Sequence, residues 1–135
     1  MQELKANGNA VFRLWLHLVL VTKYRRKVLN GAILSRCGEL VRETCERWEV
    51  TVAEFNGEHD HVHILLDVPP KLRPCDLVNA LKTRTSRVLR SEFSELREAY
   101  YGKSVLWSPS YCMVSAGGAP LDIIKRYIED QNTPL

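Results

Sequence analysis

The stretch DHVHILLDV, residues 60 to 68, has a rhythm that few folds can accommodate. Successive side chains of a strand point to opposite faces, so Val62, Ile64, Leu66 and Val68 fall on one side and His61 and His63 on the other. The first face is apolar enough to be a core, and the second carries two imidazoles side by side. Such a strand belongs in a sheet with helices packed on one face and a polar face opposite.

The remaining segments supply the partners. Phe12 to Thr22, FRLWLHLVLVT, is dense in Leu, Val and aromatics and has the length of a strand buried on both faces. From about Asn30 to Trp48 the spacing turns helical through Ile33, Leu34, Leu40, Val41 and Cys45, with Asn30 as N-cap. Val50 to Asn56 alternates as a strand and forms a hairpin with the histidine strand, which Pro69 and Pro70 end. A second helix, about Asp76 to Phe93, gathers Leu77, Val78, Leu81, Val88 and Leu89 on one side and Arg84, Arg87 and Arg90 on the opposite arc. Ser104 to Ala116 reads as a fourth strand interrupted near Pro109. A last helix, about Pro120 to Gln131, follows the joint GGAP, and the first ten residues read as a ragged arm. The order β-α-β-β-α-β-α predicts an α+β, ferredoxin-like (RRM-like) split-βαβ sheet with helices on one face and an appended C-terminal helix.

With 135 residues, 45% of them hydrophobic and 26% charged, the chain is expected to be one domain, 1–135, with a real core. Cys37, Cys45, Cys75 and Cys112 form no C-x-x-C pair, which argues against a zinc knuckle or a redox motif. No leader and no membrane-length apolar run are apparent, so the expectation is a cytoplasmic protein with reduced thiols and no membrane partner.

One strand histidine is usually only solvated. A same-face pair beside Asp60 and Glu58 can hold one divalent ion. His59 keeps the rhythm but sits in the turn, and His17 in the first strand is a weaker candidate. Two imidazoles do not complete a site. In LDIIKRYIEDQ, Tyr127 and Gln131 are four residues apart and stack on one helix face, beside the stripe Leu121, Ile124 and Ile128. The plainer reading is a tyrosine at the edge of a packed face with a solvated glutamine. The functional one is a phenol nucleophile beside a carboxamide that reaches a metal. A phenol with a pKa of about 10 is protonated at neutral pH, so it needs a phosphodiester already polarised by a cation.

A net charge of +3, from 19 Lys and Arg against 16 Asp and Glu, is too small to imply nucleic acid by itself. Its distribution says more. Lys23, Arg25, Arg26 and Lys27 form one basic cluster, and Lys82, Arg84, Arg87 and Arg90 another. Each alone reads as a solvated face, whereas two segregated clusters point toward phosphate contacts.

Three motifs together, HVH, YIEDQ and VTKYRR, make the chain resemble the HUH single-tyrosine transposases of bacterial and archaeal insertion sequences, the small TnpA-type enzymes. LKTRTSRVLR and LWSPSYCMVSAGG resemble family segments in the same order, so the likeness covers nearly the whole chain. It implies that His61 and His63 bind Mg²⁺ or Mn²⁺ with Gln131 as third ligand, and that Tyr127 is the nucleophile. The implied reaction cuts single-stranded DNA to a 5′-phosphotyrosine and a free 3′-hydroxyl, then rejoins strands without ATP. The likeness also implies a homodimer whose tyrosine helix can complete the partner's site, and recognition of imperfect hairpins at the element ends. Gly117 and Gly118 would give that helix freedom to move. Three alternatives remain at this point, one of them a catalytically decayed or domesticated relative of these enzymes. A non-catalytic ferredoxin-like nucleic-acid-binding module would carry aromatics on the open sheet face. A metal-dependent hydrolase using water would leave Tyr127 and Gln131 without a role.

Overall fold

The computed structural model describes residues 5–7, 10–12, 14–115 and 121–131. In chain order the elements are β1 (Lys5–Asn7), β2 (Ala10–Phe12), β3 (Leu14–Val21), a 3₁₀ turn (Lys23–Arg25), α1 (Gly31–Arg47), β4 (Thr51–Gly57), β5 (His61–Val68), α2 (Pro74–Glu92), α3 (Ser94–Ala99), β6 (Cys112–Ser115) and α4 (Leu121–Asp130). Four strands pair antiparallel in the order β4-β5-β3-β6, which is the ferredoxin-like arrangement. The first residues form no ragged arm throughout, because β1 and β2 pair as a separate antiparallel ribbon.

The strand alternation decides which side is core. Leu16, Leu18 and Leu20 of β3 and Val62, Ile64, Leu66 and Val68 of β5 are buried in one cluster with Ile33, Leu40 and Val41 of α1 and Leu77, Leu81 and Leu89 of α2. Each fully buried Leu or Ile contributes about 1.5–3 kcal/mol, so this face holds most of the stabilising burial. The other face carries a much smaller cluster of Val19, Val21 and Cys112, against which Val114, Tyr127 and Ile128 pack. The helices α1 and α2 thus cover one face and α4 lies on the other.

Local chemistry sets the helix ends. Asn30 caps α1, its side-chain oxygen accepting the Ile33 N–H at 2.9 Å. Pro74 opens α2, where its missing N–H costs nothing. The strand expected over 104–116 contracts to Cys112–Ser115, preceded by a single bridge between Thr22 and Trp107. All four cysteines are free thiols. Burial pushes Cys37 and Cys45 up to about 12, which makes them inert. No helix among the described residues is long and apolar enough to cross a membrane.

Candidate active site

The register places the histidines where the alternation predicts. His61 pairs with Val21 and His63 with Val19, so both imidazoles share the face on which Val19, Val21 and α4 meet. Both rings are half-buried.

Asp60, at the end of the turn into β5, fixes the first ring. Its buried carboxylate accepts from His61 Nδ1 at 2.8 Å through Oδ1 and from Arg25 Nε at 2.8 Å through Oδ2. Burial alone would raise its pKa, but the bonds from His61 and Arg25 outweigh that and hold it below the usual carboxylate value. An ionised carboxylate only accepts, so His61 carries its proton on Nδ1 and leaves the Nε2 lone pair for a cation. Arg25 reaches Asp60 because Tyr24 and Arg25 take consecutive left-handed conformations, φ 59° and 55°, and turn the chain back from β3. Thr22 secures that turn by donating Oγ1–H to the Arg26 carbonyl at 2.7 Å.

His63 has a different neighbour. Its Nε2 lies 2.7 Å from His17 Nδ1, with the ring centroids 4.8 Å apart, so one imidazole donates and the other accepts. Burial first, then the nearby His17, pushes the His63 pKa down and keeps the ring neutral. A cation approaching His63 through Nε2 has to displace this bond. Glu58, Asp60 and His61 also bring three ligand atoms within 4.8 Å of one another, an acidic edge to the same site. These nitrogen and oxygen donors fit a divalent cation, with carboxylate and carboxamide oxygens suited to Mg²⁺ or Mn²⁺.

From α4, Tyr127 and Gln131 meet two serines of the loop before β6. The Tyr127 hydroxyl is 2.7 Å from Ser110 Oγ, and Gln131 Oε1 accepts from Ser108 Oγ at 2.6 Å. Burial raises the Tyr127 pKa, with the Ser110 bond pulling weakly the other way, so the phenol is firmly protonated at neutral pH. Ser108 in turn donates its N–H to the Val21 carbonyl at 2.7 Å, and Val21 is the register partner of His61. One strand therefore separates the glutamine's serine from the histidine.

The basic residues are placed unevenly. Lys82 spans from α2 to the same loop and donates to the carbonyls of Ser108 at 2.8 Å and Pro109 at 3.0 Å. Arg84 bonds Glu43 of α1 at 2.8 Å, and Arg90 bonds Ser86 at 3.0 Å. The expected row of solvent-facing arginines is therefore broken, with Arg87 its exposed member. Arg26 donates to the Ala99 carbonyl, while Lys27 is exposed and Lys23 half-exposed. Gly117 and Gly118 lie outside the described residues.

Sequence reasoning, which held His17 a weaker candidate, missed its bond to His63 and gave Ser108, Ser110 and the Arg25–Asp60 pair no part. Parity along β3 puts His17 on the imidazole face, but only the register reveals its partner.

Residues 10–131 match the family described as "Transposase IS200 like". The ISDra2 transposase TnpA of Deinococcus radiodurans is 32% identical over 130 residues, covering 96% of this chain and 92% of that protein. The transposase for insertion sequence element IS200 of Salmonella typhimurium is 30% identical over 117 residues, covering 84% and 76%. The crystal structure of a Deinococcus radiodurans R1 protein assigned as a transposase superposes with a TM-score of 0.88 at 30% identity, over 96% of this chain and 99% of that one. A REP-associated tyrosine transposase bound to a REP hairpin shares the fold, with a TM-score of 0.55 at 9% identity over 93% and 68%.

Proposed function

Because this chain belongs to the IS200-like transposase family and so cuts and rejoins DNA, we propose that it does so through Tyr127 on single-stranded insertion-sequence ends. The observation that carries the reading is the packing of Tyr127 against the cluster of Val19, Val21 and Cys112, whose two valines are the register partners of His63 and His61. Nucleophile and imidazoles then serve one sheet face.

In this reading His61, His63 and Gln131 hold Mg²⁺ or Mn²⁺, which supplies neutralising charge at the scissile phosphate. Asp60 keeps the His61 lone pair directed outward, and Gln131, now bonded to Ser108, would supply a carboxamide oxygen to the cation. The Tyr127 oxygen attacks phosphorus in line while the bond to the 3′-oxygen breaks. The products are a 5′-phosphotyrosine and a 3′-hydroxyl, and attack by another 3′-hydroxyl reverses the step. The phosphotyrosine conserves the bond, so no nucleotide cofactor is needed. Arg87 and Arg90, which line a groove with Lys82, contact backbone phosphates, as do Lys23 and Lys27. Arg25 and Arg84, paired with carboxylates within the protein, act chiefly as supports.

Hairpin recognition and a working dimer are extended to this chain from the family likeness. A REP hairpin bound by a protein of the same fold supports the former. Gly117 and Gly118 are the proposed joint for the helix.

The test uses single strands from each flank of the gene with Mg²⁺ or Mn²⁺. A denaturant-resistant protein–DNA species is expected, lost with EDTA and in Tyr127→Phe while DNA binding persists. An adduct that survives Tyr127→Phe would sink the assignment.

A further inference from the structure

Two of the protein's tyrosines stand where a core residue would not. Tyr24 is 40% exposed and Tyr101 is 81% exposed, and they are the exposed large hydrophobic residues among those described. Both line a single cavity of about 250 Å³ with Tyr100, Lys23, Arg26 and Lys103. That volume lies below the roughly 300–1,000 Å³ of pockets for drug-sized ligands, which suits one flat ring.

The cavity's chemistry is specific. The Arg26 guanidinium is 5.5 Å from the Tyr24 ring centroid, 5.1 Å from that of Tyr100 and 5.3 Å from that of Tyr101. Lys23 Nζ is 5.5 Å from the Tyr24 ring. Three of its lining residues are cationic and none is acidic. Tyr100 explains itself structurally, being 2% exposed with its hydroxyl bonded to the Lys23 carbonyl at 2.8 Å. Tyr24 and Tyr101 have no such account.

Backbone strain gathers at the same place. The non-glycine residues with positive φ among those described are Tyr24, Arg25, Glu49 and Tyr101. All but Glu49 line or adjoin the cavity. Strained conformations kept by large side chains point to a use for the geometry they enforce.

Position supplies the last argument. Tyr24 and Arg26 flank Arg25, which is tied through Asp60 to His61. On the other side Val105 also lines a groove of about 290 Å³ that holds Lys82, Arg87 and Arg90. A strand whose phosphates follow that groove is led, at Val105, to the tyrosines.

We propose that this cavity seats one unstacked nucleobase of the single-stranded DNA against Tyr24 and Tyr101, with Lys23, Arg26 and Lys103 facing its flanking phosphates. The proposal rests on the reading that the chain handles single strands, and it adds a place where a base is gripped by stacking. Aromatic stacking tolerates any base, so the seat holds the strand without reading its sequence.

The experiment photo-cross-links the full chain, in EDTA, to an oligothymidylate carrying one iodouracil. Cross-linked peptides are expected to contain Tyr24 or Tyr101. By fluorescence anisotropy at fixed salt, Tyr101→Ala should weaken binding roughly 5- to 150-fold, while Tyr101→Phe stays within about twofold of the parent. Tyr101 is exposed enough that neither change threatens folding. Lys103→Ala should lower the slope of log affinity against log salt by about one. Cross-links confined elsewhere, no cross-link at all, or parental affinity in Tyr101→Ala each overturn the seat. Oligothymidylate binding in EDTA needs neither metal nor Tyr127. A protein that cross-links at Tyr101 yet makes no adduct with either flank keeps the seat and loses the phosphotyrosine reading. One that makes the adduct but cross-links elsewhere does the reverse.

Discussion

At Asp60 a buried carboxylate is divided between two donors, His61 Nδ1 and Arg25 Nε, each at 2.8 Å. An asparagine there keeps the size but replaces one acceptor with an NH₂ that faces a donor. Asp60→Asn should therefore release the His61 tautomer and weaken Mn²⁺ binding by about 10- to 100-fold, measured by calorimetry. Unchanged affinity would mean that His61 is oriented by something else. Acid stability reports the same residues. His63 has a folded pKa below its ordinary 6.5. As pH falls through 6.5 the unfolded chain therefore takes up a proton that the folded chain refuses, and stability drops. Asp60 is shifted down from 3.8, so its contribution is complete above that value and is lost as pH falls through the lower folded one. Urea midpoints in EDTA should decline below pH 6.5 and again below 3.8. His63→Gln should flatten the first decline and spare the second.

Among the elements, α2 supports the loop that carries Ser108 and Ser110. Trp107 Nε1 donates to Thr85 Oγ1 at 2.8 Å, and Thr85 Oγ1 donates to the Leu81 carbonyl at 2.7 Å, with both side chains buried. Thr85→Val conserves shape and leaves the indole N–H without its acceptor. The expected cost is about 1–3 kcal/mol, seen as a lower urea midpoint at unchanged slope. A neutral result would show that the indole finds another acceptor. This contact was invisible in the sequence, where Thr85 merely shares the apolar side of a helix. By contrast β5 was legible because its alternation is strict, and α1 because Asn30 caps a clear periodicity. Helix α3 was missed, since six residues are too few to show a period. Strand β6 was overextended because Ser108 and Pro109 are clasped by Lys82 instead of joining a ladder. Tyr127 and Gln131 were legible as a same-face pair, but their serine partners come from a loop whose path only packing sets.

At the scale of the whole molecule, the sheet separates stability from chemistry. One face is buried under α1 and α2 in the main core, whereas the other meets α4 through the small cluster around Val19, Val21 and Cys112. The sequence suggested an open face for the imidazoles, and α4 covers part of it. That cover carries a cost for catalysis. Tyr127 is bonded to Ser110 and Gln131 to Ser108, both serines of the loop before β6. On the proposed function, Gln131 would give up its serine bond to take a cation, and Tyr127 would leave Ser110 to attack. Each such bond is worth about 0.5–1.5 kcal/mol net. Removing both in Ser108→Ala/Ser110→Ala should therefore speed single-turnover adduct formation by roughly 5- to 150-fold if departure limits the rate. The fold should survive, because Ser108 keeps its backbone bond to Val21 and Lys82 keeps its carbonyls. Slower adduct formation in the double variant would show instead that the serines aim the tyrosine, and α4 would then already stand in its working position.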